Sequence, residues 1–356
     1  MEMKTKPNLK YRDDGTFTIV QFADVHNGGG APEDVRSLAL MEEVLRLEKP
    51  DLVVYTGDQI RSRGPDPRAQ FREVTAIAEK AGIPYAFVFG NHDSRRGVTR
   101  QELMEMEAVR PLCMADAGPE HVSGTGNYTL TVLESDASAA RRRIAEGEER
   151  TASTAPADSI PPPNVSEEAV RRAAANLYFF DSECNAPERA VRDGRSEWIS
   201  RDKAEWFAAE SAALEKRHGA KLPALAFFHI PLPEYEEVWN TRPCYGHRLA
   251  EVRCPRLNTG VFAAMVERGD VMGTFVGHDH SNDYWGELAG IRLCYGRTTG
   301  FNGNIREGNS RGARIVRLTE GKRGFESWLR LEDGSAVYSQ PEHLPGEPAM
   351  APNAAG

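Results

Sequence analysis

The chain has 356 residues, of which 40% are hydrophobic and 27% charged, a composition typical of a globular protein that excludes fibrous and disordered classes. Its formal net charge of -9 gives no support to nucleic-acid or anionic-membrane binding, because a negative protein repels both. The five cysteines include no C-x-x-C pair, which indicates reduced, structural thiols. The sequence shows neither an apolar signal segment nor a run long enough to span a membrane. We therefore expect a cytoplasmic protein, with a secreted or periplasmic protein whose signal peptide has been removed as the alternative.

The N-terminal part of the chain alternates between short apolar runs and amphipathic segments. The apolar runs predict strands, at residues 17–22, 52–56 and 85–89. The amphipathic segments have apolar residues at helical spacing and predict helices, at residues 32–48 and 68–81. This alternation indicates parallel, right-handed β-α-β units, whose ligands bind beyond the carboxyl ends of the strands.

The three predicted strands all end in side chains that can bind a metal ion. Asp24 and His26 follow the first strand, Asp58 follows the second, and Asn91 with His92 follows the third. Each of these groups alone is better explained by a turn or a cap, since Asp and Asn favour such positions. Their recurrence at successive strand ends favours a shared site.

Two more predicted strands, in the C-terminal half, end in histidine. His229 follows the first of them, and His278 and His280 follow the second. The elements alternate here as well, with helices at residues 199–217 and 261–268 and strands at residues 222–228 and 271–276. Short alternating strands between residues 284 and 331 predict a second, antiparallel sheet.

The domain organisation follows from where large apolar residues are missing. Residues 127–133 and 177–180 predict two antiparallel strands, and the residues between them, about 135–175, are too poor in large apolar side chains to build a core. We expect a flexible surface insert there, with a functional lid as the alternative. Residues 336–356 are expected to form a loose tail, so residues 1–335 form one domain.

The side chains at the five strand ends define the chemistry of the expected site. Carboxylate, imidazole and amide ligands without thiolates suit Mn, Fe, Zn or Ni rather than a soft metal or an iron-sulfur cluster. Seven such ligands are too many for one tetrahedral ion and suit two ions about 4 Å apart that share a bridging carboxylate, as in metal-assisted phosphate hydrolysis. The sequence therefore predicts a dinuclear phosphoesterase site.

The motifs also carry a family resemblance. In order along the chain, Asp24-x-His26, Gly57-Asp58, Gly90-Asn91-His92-Asp93, His229 and Gly277-His278-x-His280 resemble the signature of the calcineurin-like metallophosphoesterase superfamily. The segments FFHIPLPEY and GHDHSNDYWGEL are further similar to a branch related to purple acid phosphatases. The resemblance implies an α/β fold in which a two-sheet β sandwich is flanked by helices in four layers, α/β/β/α.

The resemblance also implies a role for each motif residue. One metal ion would take Asp24, His26, Asp58 and His280, the other would take Asp58, Asn91, His229 and His278, and His92 would be the catalytic histidine. Purple acid phosphatases have a metal-ligating Tyr three positions after the bridging Asp, where this chain has Arg61. We therefore expect no tyrosinate chromophore. The identity of the metals stays open, Fe paired with a divalent ion included.

The expected reaction is hydrolysis of a small phosphomonoester by metal-bound hydroxide. A phosphodiesterase acting on a nucleotide or lipid-type diester is the alternative, and a non-catalytic scaffold protein is the third interpretation. Candidate substrate-binding residues are Asn27, Arg95, Arg96 and His247, which lie in or near the strand-end loops. Asn27 alternatively supports its turn, and Arg95 and Arg96 are alternatively solvated. The sequence leaves the oligomeric state open.

Overall fold

The computed structural model describes residues 6–61, 65–94, 97–152, 171–182, 186–191, 197–306 and 308–346. Within this part of the chain, two mixed β sheets pack against each other and helices cover their outer surfaces. The first sheet has six strands and the second has eight. The predicted α/β fold with two sheets and flanking helices is confirmed.

The strands of the first sheet are β1 (Thr16–Phe22), β2 (Leu52–Thr56), β3 (Tyr85–Val88), β11 (Gly312–Thr319), β12 (Phe325–Leu331) and β13 (Ala336–Val337). The strands of the second sheet are β4 (Tyr128–Leu133), β5 (Ala173–Phe179), β6 (Ala224–Phe227), β7 (Cys244–Tyr245), β8 (Val271–Val276), β9 (Trp285–Leu288), β10 (Ile291–Tyr295) and β14 (Glu342–His343). The strand order is β13-β12-β11-β1-β2-β3 in the first sheet and β14-β7-β9-β10-β8-β6-β5-β4 in the second. The α-helices are α1 (Pro32–Glu48), α2 (Pro67–Lys80), α3 (Arg100–Ala108), α4 (Asp136–Ala152), α5 (Arg201–His218), α6 (Glu234–Thr241) and α7 (Val261–Arg268), and a short 3-10 helix spans Glu188–Ala190. No helix in the described part of the chain combines the length and the apolar character that a bilayer span requires.

Each sheet contains a block of parallel strands, and these blocks position the site. Strand β2 pairs in parallel with both β1 and β3, as the alternating pattern predicts. In the second sheet, β5, β6, β8 and β10 are mutually parallel neighbours. Helices α1 and α2 begin with Pro at their first positions, where the missing N–H is no loss. The carboxyl ends of β1, β2, β3, β6 and β8 consequently open toward one end of the molecule.

The core between the sheets is mainly aliphatic and contains a row of aromatic side chains. The rings of Tyr128, Phe179, Phe227 and Phe275 stack in a row across the second sheet, with neighbouring centroids 4.5, 5.3 and 5.2 Å apart. Phe275 also contacts Phe325 of the first sheet. Alternate residues of β5 point to the other face, where they pack on α5. Both faces of the second sheet are therefore buried, and this holds its strand ends rigidly.

Three parts of the chain differ from the sequence-based expectations. The strands between residues 284 and 331 do not form a separate antiparallel sheet, because β9 and β10 join the second sheet while β11 and β12 join the first. The insert at about 135–175 contains helix α4, and residues 153–170 of it lie outside the described residues. The first part of the expected loose tail instead pairs with both sheets through β13 and β14, and residues 347–356 of it lie outside the described residues. Its His343 is buried and stacks on Trp239 at 3.8 Å.

Candidate metal centre

The polar strand ends of the two sheets meet at one edge of the sandwich. Hydrogen bonds between backbone groups join the loops there: Asp24 N–H donates to Gly57 O at 3.2 Å, and His26 N–H donates to Asp58 O at 2.9 Å. Gly277 N–H donates to His229 O at 3.1 Å. The side chains that follow the five strands are thus contributed by both sheets.

The backbone of the site is held in an uncommon conformation. Asp24, His26, Asp58 and His278 all have φ between 51° and 74°, in the left-handed region that disfavours residues with a Cβ atom. Such a residue costs roughly 1–3 kcal/mol and persists only where its surroundings enforce it. This turn of the backbone directs the side chains into the site.

One cluster of ligand atoms contains Asp24, His26, Asp58 and His280, each offering an atom within 4.8 Å of the others. His26 Nε2 lies 2.9 Å from His280 Nε2 and 3.5 Å from Asp58 Oδ2. His280 Nε2 lies 3.7 Å from Asp24 Oδ1. Two imidazole nitrogens that face each other between carboxylates, each able to offer a lone pair, fit a cation.

The second cluster contains Asp58, His229 and His278, with Asn91 beside them. His229 Nε2 lies 3.4 Å from Asp58 Oδ2, 3.1 Å from Asn91 Oδ1 and 3.2 Å from His278 Nδ1. Asp58 is therefore common to both clusters. The oxygen and nitrogen donors fit two borderline divalent ions bridged by this carboxylate, and the donor set leaves their identity open.

The buried charges shift the acidity of the central groups. Burial favours a raised pKa for Asp58, but the neighbouring His229 and His26 outweigh it and hold this pKa well below its usual value. Burial lowers the pKa of His26 well below its usual value. His229 behaves differently, since the charge of Asp58 outweighs burial and raises its pKa to about 9. Ionised Asp58 and neutral His26 are the forms that bind a metal ion.

Hydrogen bonds outside the clusters orient the imidazole rings. His229 Nδ1 donates to the Thr56 carbonyl at 2.9 Å, which directs Nε2 to the site, and His280 Nδ1 is 3.2 Å from the Asn304 carbonyl. Such contacts fix the tautomer of a metal-binding histidine. Neither Thr56 nor Asn304 is signalled by the sequence, because the contact uses only a backbone carbonyl.

Asp93 holds the two loops that carry Asp58 and Asn91. Its buried carboxylate accepts from Asp58 N–H at 2.9 Å, Gly90 N–H at 2.7 Å and Ile60 N–H at 3.1 Å. Burial and the charge of Asp58 raise its pKa to about 7. Asp93 therefore orients the ligands without belonging to either cluster.

His92 lies at the solvent-facing side of the clusters. Its backbone N–H donates to Asp58 Oδ1 at 2.8 Å, and its ring Nε2 lies 4.0 Å from Asp58 Oδ2. The side chain is 36% exposed, whereas that of Asp58 is 2% exposed. An imidazole so placed can reach a group bound at the clusters from outside.

The candidate substrate-binding residues are placed differently from the ligands. Asn27 is buried, and its amide donates to Gln70 O and to Glu73 in helix α2, so the structure does not direct this side chain toward a phosphate. His247 pairs with Asp283 at 3.5 Å, and no described contact joins it to the clusters. Arg95 and Arg96 lie outside the described residues.

The sequence interpretation missed a set of loop contacts beside His26. Asp34 accepts from the N–H groups of Gly28, Gly30 and Ala31 at 2.7–2.8 Å, and Asn302 donates both to Asp34 and to the His26 carbonyl. Asp34 precedes the apolar face of α1 and could have been noticed as a capping carboxylate. Asn302 is distant in sequence and carries no local signal.

Comparisons with known proteins agree with this geometry. The family model described as calcineurin-like phosphoesterase matches residues 17–133. A relative from Arabidopsis thaliana, named "Probable inactive purple acid phosphatase 29", is 31% identical over 91% of this chain and 85% of that protein. The Saccharomyces cerevisiae protein named "Phosphatase DCR2" is 28% identical over 91% of this chain and 55% of that protein. The crystal structure of a dimetal phosphatase from Danio rerio shares the fold, with a TM-score of 0.51 at 14% identity over 91% of this chain and 99% of that one.

Proposed function

Because the chain belongs to the calcineurin-like phosphoesterase family, we propose that it is a dinuclear metal-dependent phosphoesterase that hydrolyses phosphomonoesters. The observation that carries the proposal is the sharing of Asp58 by two clusters, which gather all seven candidate ligands. Three relatives that match 91% to 94% of this chain carry the word "inactive" in their names. A scaffold protein, however, has no need for seven converging ligands that include four residues with strained backbones.

The proposed division of labour follows from the positions of the side chains. Asp24, His26 and His280 would hold one ion, Asn91, His229 and His278 the other, and Asp58 both. When bound, such a pair of ions activates water and stabilises the charge of an in-line displacement at phosphorus. His92, on the solvent side, would donate a hydrogen bond to a phosphate oxygen or a proton to the leaving oxygen. Arg95 and Arg96 stay candidates for the same phosphate.

The proposal is tested by turnover of matched aryl phosphate monoesters and diesters by protein reconstituted with Mn, Fe or Zn. We expect two ions per chain and faster turnover of the monoester. Asp58→Asn keeps the size of the side chain but removes the bridging charge, so turnover should fall by roughly a thousandfold or more. Asp333→Asn, in an exposed turn, is the matched control and should leave turnover unchanged.

Each alternative has its own outcome in this experiment. Diester turnover far above monoester turnover would replace the phosphatase with a phosphodiesterase. Two bound ions without any turnover would favour the scaffold. Normal turnover by Asp58→Asn would refute the dinuclear assignment. A cytoplasmic location stays a prediction, to be tested by cell fractionation.

A further inference from the structure

His278 has two ring nitrogens in different surroundings. Nδ1 lies 3.2 Å from His229 Nε2 and faces the second cluster. Nε2 points the other way and lies 3.8 Å from Glu197 Oε1. His278 Nε2 and Glu197 Oε2 are both buried, and neither has a hydrogen-bond partner within the described part of the chain. The ring nitrogen is thus left unsatisfied 3.8 Å from Oε1, less than 1 Å beyond hydrogen-bond distance, and Oε2 of the same carboxylate also lacks a partner, which needs an explanation.

Glu197 is fixed in place by contacts on its other side. Arg253 Nη2 and Nε lie 3.0 and 3.2 Å from Glu197 Oε1. The backbone of Arg253 is itself anchored, because its N–H donates to Asp279 Oδ2 at 3.1 Å. Asp279 Oδ2 also accepts from the Tyr295 hydroxyl at 2.7 Å. The carboxylate of Glu197, only 7% exposed, is therefore held against the outer nitrogen of His278.

The backbone contacts of His278 leave the tautomer of its ring undetermined. Its N–H donates to both carboxylate oxygens of Asp24, at 3.0 and 3.2 Å, and its φ is 74°. This fixes where the side chain begins, but not which ring nitrogen carries the proton. For a metal-binding histidine, that choice is set by the partner of the second nitrogen.

We propose that Glu197 is a positioning residue, whose carboxylate accepts a hydrogen bond from His278 Nε2–H and so keeps the lone pair of Nδ1 directed at the second cluster. This inference rests on the proposed dinuclear function. The carboxylate would also strengthen the donation of the Nδ1 lone pair to a metal ion, because it stabilises positive charge on the ring. Glu197 would contact neither the substrate nor a metal ion, and it acts through His278 on the ion that His278 would hold.

The first test is a spectroscopic measurement on the wild-type protein, and a variant serves only to assign the signal. Nitrogen-15 NMR of histidine-labelled, Zn-loaded protein should show one histidine with Nδ1 bound to Zn and a hydrogen-bonded proton on Nε2, and His278→Gln should remove that signal. A metal-bound Nε2 at His278, or an Nε2 without a proton, would overturn the proposal.

The second test is Zn titration of Glu197→Gln, which keeps an oxygen for Arg253 but has no charge. We expect the affinity for the second ion to fall about 10- to 100-fold while the affinity for the first stays unchanged. Glu48→Gln is the matched control, since Glu48 is a buried partner of an arginine, Arg330, at 2.6 Å and lies outside the site. Equal affinity of Glu197→Gln and wild type for both ions would refute the role of Glu197.

The two proposals fail in different ways. If the wild-type protein binds two ions and turns over the monoester while Glu197→Gln behaves like wild type, only the positioning role is lost. A wild-type protein that binds fewer than two ions would overturn the dinuclear function and the positioning role together.

Discussion

Replacement of Asp93 by Asn tests how the site is held together. The Asp93 carboxylate accepts three backbone N–H groups, two at Oδ2 and one at Oδ1. An Asn side chain has one acceptor oxygen, so at least the N–H of Ile60 would face an NH₂ group. One buried, unsatisfied donor costs about 1–3 kcal/mol. This term lowers the stability of Asp93→Asn at every pH.

In the metal-free protein a second contribution acts in the opposite direction, because it lowers the stability of the wild type as the pH rises. Burial and the charge of Asp58 raise the pKa of Asp93 from 3.8 to about 7 in the folded state. Because the folded-state pKa is raised, the stability that Asp93 contributes is complete below the unfolded pKa. It is lost as the pH rises through the folded pKa. At about 1.36 kcal/mol per pH unit, the loss is roughly 2–3 kcal/mol between about pH 5 and about pH 8.

We therefore expect the stability difference between wild type and Asp93→Asn to shrink by roughly 2–3 kcal/mol over that pH range when both proteins are metal-free. The assay is urea unfolding in a chelator, followed by circular dichroism. With Zn bound at about pH 8, cations offset the charge of Asp58, and the variant should again be the less stable protein, by about 1–3 kcal/mol. Asp333→Asn, in an exposed turn, should show no such change with pH. Parallel curves for wild type and Asp93→Asn in chelator would refute this reasoning.

Three further predictions concern a chromophore, thiols and a helix cap. Because Arg61 replaces the metal-ligating Tyr, iron-loaded protein should lack a visible tyrosinate band, and a band in its absorption spectrum would contradict this. Burial raises the pKa of Cys113 and Cys244 to about 12 and that of Cys294 to about 11, so peptide mapping should find these thiols unlabelled by a thiol reagent until denaturant is added. Thr99 caps helix α3 through its side chain, so Thr99→Ala should lower the unfolding free energy by about 1 kcal/mol, and an unchanged urea midpoint would show that the cap contributes nothing.

The sequence predicts the elements near the site closely, because local chemistry defines their ends. Helix α1 spans the predicted residues: Pro32 suits its first turn, and Lys49 ends it in a left-handed conformation. The partners of the later strands could not be predicted in this way. The sequence pattern of β11 and β12 predicts strands, but not which sheet they join.

The ligands of the site can be predicted from the sequence, whereas the contacts of the residues around them cannot. The ligands follow strands, so their convergence is a property of the sheets and can be predicted. Asn27 follows a strand equally closely, yet α2 supplies the Glu73 that captures its amide. Glu197 meets His278 across 81 positions of sequence, and neither residue has a neighbour that signals the contact. Long-range side-chain pairs of this kind are determined by tertiary packing, and the hydrophobic periodicity of the sequence carries no information about them.

The backbone conformation gives an independent reason to assign the side chains of the site to function. Within the described residues, six residues other than glycine have positive φ. Two of them serve ordinary turns: Lys49 ends a helix, and Ala289 lies between paired strands. The other four are Asp24, His26, Asp58 and His278, all in the two clusters. Glycine would adopt these conformations without strain, so a chain shaped by stability alone would place it there. The four side chains are retained at a cost of roughly 1–3 kcal/mol each, which is explained if their donor atoms bind what the site holds.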